Sequence, residues 1–211
     1  MNESFKERVR KAAIDNAVLY KSTLVDYEYC IFSSELSTKY VIIKALESNY
    51  LHLVGVNTNL TADAFFKKCI NKTLTEEDFD FLKRGVSSDV LKGAVRDKIR
   101  VLDKMIGLLH SPDLQIQENF EHNKIHCAFA SASSDCTLGY AVSGYPKSLL
   151  RGNYLGDKSL DIDLIVRRQN GSDEPFSEIV RGSVDNTKMY SDVTATLLSA
   201  ELLKDKSENE T

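Results

Sequence analysis

Proline is scarce in this chain, three among 211 residues, and no long low-complexity stretch is present, which excludes extensive disorder. Long apolar runs are missing too. The longest, such as Tyr40–Ile43 and Ile162–Val166, are far too short to span a bilayer, so no membrane association is expected. No apolar segment stands behind the mixed-charge stretch Met1–Lys11, so no signal peptide is expected. The four cysteines, Cys30, Cys69, Cys127 and Cys136, form no CxxC pair and sit inside apolar or strand-like segments. That pattern fits buried, reduced thiols in a cytoplasmic setting and lacks the spacing of a zinc site. An excess of basic charge is also absent. With net charge −4 and pI near 5.6, the chain is no general coat for nucleic acid, although a local cluster of cations in a cleft stays possible.

What is present is an ordinary globular composition, 42% hydrophobic and 27% charged, at a length suited to one large domain or one domain with helical extensions. Phe5, Val9, Ala12, Ala13, Asn16, Ala17 and Tyr20 recur at helical spacing, with Asn2 or Ser4 as cap. Tyr27–Ser33 and Lys39–Ala45 read as a hairpin, and Tyr50–Val56 as a third strand ending at Gly55. Helices follow. Thr61 caps Ala62–Asn71, Thr75 and Asp78 form a capping box before a short helix through Leu82, and Ser87 or Ser88 caps the longest helix, Ser88–His110. Its stripe runs through Val90, Leu91, Val95, Ile99, Leu102 and Met105, and Pro112 ends it. Strands return at Lys124–Ala130, Thr137–Val142, Leu160–Arg168 and Glu178–Gly182, before a final helix at Thr194–Lys204 and a polar tail, Asp205–Thr211. The fold class is therefore α+β, a mainly antiparallel sheet packed by helices, with helix Ser88–His110 on one face.

Two segments stand out from plain scaffold. In Asn49–Val56 a histidine, His52, interrupts an apolar run, and on strand alternation it faces away from Leu51 and Leu53. A lone histidine of this kind is more often structural than catalytic. In Ser143–Gly152 a Gly–Tyr–Pro turn presents Lys147, Ser148 and Arg151 within one loop or helical turn, donors able to grip a phosphate. The plainer reading is a solvated loop. His110, His122 and His126 carry no partner at metal-ligand spacing, and Asp161 with Asp163 reads as a solvated face.

Tyr50-Leu51-His52-Leu53-Val54-Gly55-Val56 resembles the signature of a bacterial and phage family: a phenylalanine, a hydrophobic residue, His-Leu-Thr-Gly and a further hydrophobic residue. That family is named for its Barnase–EndoU–colicin–RelE-like nuclease fold, and the chain is similar to its fourth phage subgroup. The order continues through Phe65-Phe66, the capped segment Leu74–Asp78, Leu108-Leu109 and Pro146-Lys147-Ser148-Leu149-Leu150. The resemblance spans roughly Tyr27 to Gly182. Val54 departs from it, standing where threonine is usual and removing a hydroxyl beside the expected site.

The resemblance implies a Barnase/EndoU/RelE-like fold over residues 25–185, flanked by a helix at 1–24 and a helix with polar tail at 186–211. It further implies metal-independent endoribonuclease chemistry with no cofactor. His52, with an unperturbed pKa of ~6.5, would move the proton. Lys147, Ser148 and Arg151 would complete the catalytic group, Lys44 would bind the phosphate, and Tyr50 or Tyr145 would stack a base. RNA is the implied partner, with a cognate inhibitor protein as a further candidate. Two other readings remain: a catalytically silent module that binds protein or RNA, and a structural or assembly protein using its terminal helices as oligomer contacts. The sequence leaves the oligomeric state open.

Overall fold

The computed structural model describes residues 3–204; the expected cap at Asn2 and the polar tail Asp205–Thr211 lie outside them. Helix α1 (Phe5–Tyr20) begins where the Ser4 hydroxyl accepts the Glu7 N–H at 2.9 Å. Val9, Ala13, Ala17 and Tyr20 on its inner face are buried in the main core, so this helix is part of the body of the fold. Strands β1 (Tyr27–Phe32) and β2 (Tyr40–Lys44) form the expected hairpin.

The next element departs from expectation. Asn49–Val54 is a short helix, α2, where a third strand was expected. Tyr50, Leu53 and Val54 are buried, at spacings of three and one, while Gly55 ends the helix in the left-handed region at φ 85°. A seven-residue apolar run fits either period, and the local turn decides it. The Asn49 side chain accepts the Leu46 N–H at 2.9 Å, and the Asn49 and Tyr50 N–H groups bond back to Leu46 and Glu47.

Helix α3 (Ala62–Ile70) is capped by Thr61, and the Thr75–Asp78 capping box forms as expected, but over a single 3-10 turn at Glu76–Asp78. The long helix is broken into α4 (Ser88–Arg100, capped by Ser87), α5 (Leu102–Ile106) and a closing turn at Leu108–His110. Val101, at φ −123° and ψ 12°, leaves helical geometry and makes the break. Both pieces still face the core, through Val95, Leu102, Met105 and Ile106.

The strands are antiparallel throughout, as expected, but they divide between two sheets where one was expected. The first has order β2-β1-β7-β8, with β7 at Leu164–Gln169 and β8 at Glu178–Gly182. The second is a meander, β3 (Gln115–His122), β4 (Ile125–Ala132), β5 (Cys136–Tyr140) and β6 (Pro146–Arg151). Strand β3 escaped the sequence reading because Gln115, Gln117, Glu118, Asn119 and Glu121 make it look like a polar loop. Only Ile116 and Phe120 along it are buried. The start of the expected strand Leu160–Arg168 belongs elsewhere, with Leu160 bridging to Ile116.

The main core lies between α1–α5 and the inner faces of the two sheets. A second, smaller core covers the other face of the first sheet. There Cys30, Phe32, Leu164 and Val166 pack under Phe176, Tyr190 and Leu198. The expected final helix is two short ones, α6 (Ser191–Leu197) and α7 (Ala200–Lys204), separated where Leu198 bridges to Phe176. No helix among the described residues is long and apolar enough to cross a membrane.

Candidate active site

Helix α2 packs against both α4 and β6, and a pocket of about 460 Å³ opens between α2 and α4. Leu51, Val56, Leu91 and Ala94 form its apolar wall, and His52, Asn57, Lys83 and Lys98 supply its polar groups. No carboxylate lines it among the described residues, so its local charge is positive within an acidic protein.

His52 is exposed at the pocket, on the solvent side of α2. It faces outward because it is off the Tyr50–Leu53–Val54 stripe of a helix, and not through strand alternation. Partial burial and the nearby Lys98 charge push its pKa below the ordinary histidine value, while a hydrogen bond with the Lys147 backbone pulls the other way. A neutral imidazole near neutral pH is the consequence.

Lys98 reaches the same pocket from α4. Its Nζ donates to the His52 carbonyl at 2.7 Å, and its alkyl stem crosses Gly55. Burial, with Lys83 nearby, lowers its pKa from 10.5 to about 8. A lysine satisfying a carbonyl at a helix C-terminus is a common structural device. The depressed pKa and the adjoining histidine go beyond that device. Lys98 was missed in the sequence, and a signal for it existed. It follows Leu91 and Ala94 at helical spacing, so a basic residue occupies a position where the stripe calls for an apolar one.

The other expected residues are dispersed. Pro146–Arg151, expected as a loop or helical turn, is a strand, and its side chains therefore leave on opposite faces. Lys147 meets His52 through its backbone, while its Nζ turns away to the His126 carbonyl at 2.7 Å. Ser148 pairs with Gly139, on the side where Cys127 packs. Arg151 joins Asp97 at 3.5 Å in a separate pocket. The four residues His52, Lys147, Ser148 and Arg151 thus do not converge on one cleft.

Lys44 and Tyr145 do meet, with the ammonium 5.3 Å from the ring centroid, but neither belongs to the lining of the His52 pocket. Tyr50 cannot stack a base: it is buried, its hydroxyl donates to the Ala13 carbonyl at 2.7 Å, and Tyr20 and Phe66 enclose the ring. Val54 is likewise buried, so the hydroxyl it lacks relative to the resembled signature would lie in the core and not in the pocket.

Among the described residues no group of three or more His, Cys, Asp or Glu is arranged to hold a metal. The four thiols are buried and unpaired, and desolvation raises all of their pKa values.

Fold and site together are those of an α+β protein with antiparallel sheets and a cationic histidine–lysine pocket between α2 and α4. The chain belongs to the family described as phage-Barnase-EndoU-ColicinE5/D-RelE like nuclease 4, whose model matches residues 14–145. That span holds His52, Gly55, Lys83 and Lys98 and stops short of β6. No curated protein and no solved structure matches the chain.

Proposed function

We propose that this protein is an endoribonuclease that cleaves RNA at the His52 pocket by metal-independent acid–base chemistry. The observation that carries the reading is the pairing of His52 with Lys98, two groups whose pKa values are both lowered in one carboxylate-free pocket, so that near neutral pH the imidazole is a free base and the ammonium a readier acid than an ordinary lysine. Neutral His52 takes the proton from a ribose 2′-hydroxyl, and the 2′-oxygen attacks phosphorus. The bond to the 5′-oxygen breaks as Lys98 gives that oxygen its proton. Lys83 and the Lys98 ammonium face the charge that builds on the phosphoryl oxygens. A pKa near 8 suits Lys98 to this work, because the amine is protonated at neutral pH yet gives up its proton more readily than an ordinary lysine.

Purified protein incubated with mixed RNA in the presence of a chelator tests the proposal. Cleavage is expected, and His52→Ala should reduce it by roughly 10²–10⁴-fold with the thermal transition retained. Intact RNA with wild-type protein under every condition would leave a binding module as the better reading. Lys98 would then serve only as the cap of α2.

A further inference from the structure

A second pocket, of about 630 Å³, lies on the other side of the same turn of α4. Asp97 and Lys98 are neighbours in sequence, and each lines one of the two pockets. Successive helical residues point in directions about 100° apart, so α4 is the wall between them. A strand crossing α4 from one pocket to the other travels roughly 10 Å, the width of a helix. Strand β6 also links them: its Lys147 backbone meets His52 at one end, and Arg151 lines the second pocket at the other.

The contents of the second pocket suit a nucleotide. Arg100, Lys104 and Arg151 bring three cations to it against two carboxylates, Asp97 and Asp135, and Tyr154 brings an aromatic ring that is 43% exposed. Asp97 sits between the two guanidiniums, 3.5 Å from Arg151 and 4.0 Å from Arg100. All of these side chains are about half exposed, so the ion pairs are weak in water and a phosphate competes for the arginines. The Tyr154 ring is held in place by His122, 4.1 Å away centroid to centroid. Gly152 lies beside the ring, where an added Cβ would stand 4.0 Å from the Tyr154 Cε2. Cations beside an anchored, partly exposed aromatic ring are the combination that binds single-stranded nucleic acid, phosphate on the one and base on the other.

We infer that this pocket is a second nucleotide subsite, which takes a phosphate on Arg151 and Arg100 and a base on Tyr154, and so sets how an RNA strand runs across His52. The inference builds on the proposed ribonuclease reading, and it assigns Arg151 to substrate holding instead of proton transfer. Arg151 and Tyr154 lie beyond the residues matched by the family model, while Arg100 lies within them, so the subsite joins the matched span to the strand that follows it.

The test uses the full chain and a 2′-O-methyl hexanucleotide, which cannot supply the attacking hydroxyl, followed by titration at several salt concentrations. Wild type should bind the hexanucleotide more tightly than a dinucleotide of the same chemistry. Arg151→Ala should weaken hexanucleotide binding about tenfold and lower the salt slope by roughly 0.7, the loss of one phosphate contact on a single strand. Tyr154→Ala should weaken it by a similar factor with the salt slope retained, and Tyr154→Phe should restore it, because the face and not the hydroxyl does the stacking. Any cleavage should lose its preference for long over short substrates in both alanine variants. Hexanucleotide binding equal to wild type in both would overturn the subsite, even if wild type cleaves RNA. Binding that is lost in the variants, from a wild type that cuts nothing, supports the subsite and sinks the ribonuclease reading. A wild type that neither binds nor cleaves overturns both.

Discussion

Lys98 lies so close over Gly55 that a Cβ added at Gly55 would stand 2.8 Å from its Cδ and 3.1 Å from its Nζ. Gly55 also holds φ 85°, a conformation that strains any residue with a side chain. Gly55→Ala should therefore do two things at once. The strained backbone should cost about 1–2 kcal/mol of stability, read from the urea midpoint. The displaced lysine should also lower any RNA cleavage. A variant as stable and as active as wild type would show that neither contact matters.

Lys98 itself is expected to destabilise the fold. With a folded pKa of about 8 against an ordinary 10.5, its cationic form is disfavoured in the native state. Between those two values the unfolded chain holds the extra proton, so stability rises with pH across that window, and below pH 8 the full penalty is present. Lys98→Met should raise stability at pH 7 by about 1 kcal/mol, a figure reduced because the amine reaches pocket water. The gain should vanish toward pH 10.5. Calorimetry at pH 7 and pH 10 separates this from a simple packing effect, which would not depend on pH.

The same two groups set the expected pH dependence of cleavage. Activity should rise on an acid limb below the ordinary histidine value, as His52 loses its proton, and fall on an alkaline limb near 8, as Lys98 loses its own. Lys98→Arg should keep the positive charge but abolish the alkaline limb, since a guanidinium does not deprotonate in this range. It should also lower the maximum by about tenfold or more for want of an acid. An unchanged alkaline limb in that variant would remove Lys98 from the proton transfer.

Leu102 carries the break between α4 and α5 into the core and is fully buried. Leu102→Ala should cost about 2–5 kcal/mol, measured by denaturant unfolding, with the spread set by how far the core closes around the lost volume. A cost under ~1 kcal/mol would mean that the helix pair is less firmly seated than its contacts indicate.

Helix caps were the most legible features of the chain. Ser4, Thr61, Ser87 and the Thr75–Asp78 box each bond locally, within three residues, so a sequence window contains everything they need. The candidate site was legible only in part. His52 and Gly55 sit in one short segment and drew attention together. Lys98 lies 46 residues beyond its His52 carbonyl partner and offered only a break in an apolar stripe. Pro146–Arg151 misled, because a Gly–Tyr–Pro turn opening on Lys147 and Ser148 reads as a loop until a neighbouring strand is seen to pair with it.

The sequence by itself determined the α+β class, the starts of α1, α3 and α4, and the hairpin of β1 and β2, because these rest on periodicity and local hydrogen bonds. Only the tertiary structure decided that Tyr50–Val54 coils as α2, since that run satisfies either period and its neighbours arbitrate. It also decided that the strands separate into two sheets, because pairing joins segments as distant as β1 and β7. Above all it decided which cations meet. Packing of α2 against α4 brings Lys98 to His52, and the pleat of β6 carries Arg151 to a different pocket. Side-chain direction across such distances depends on the assembled core and on no local stretch of sequence.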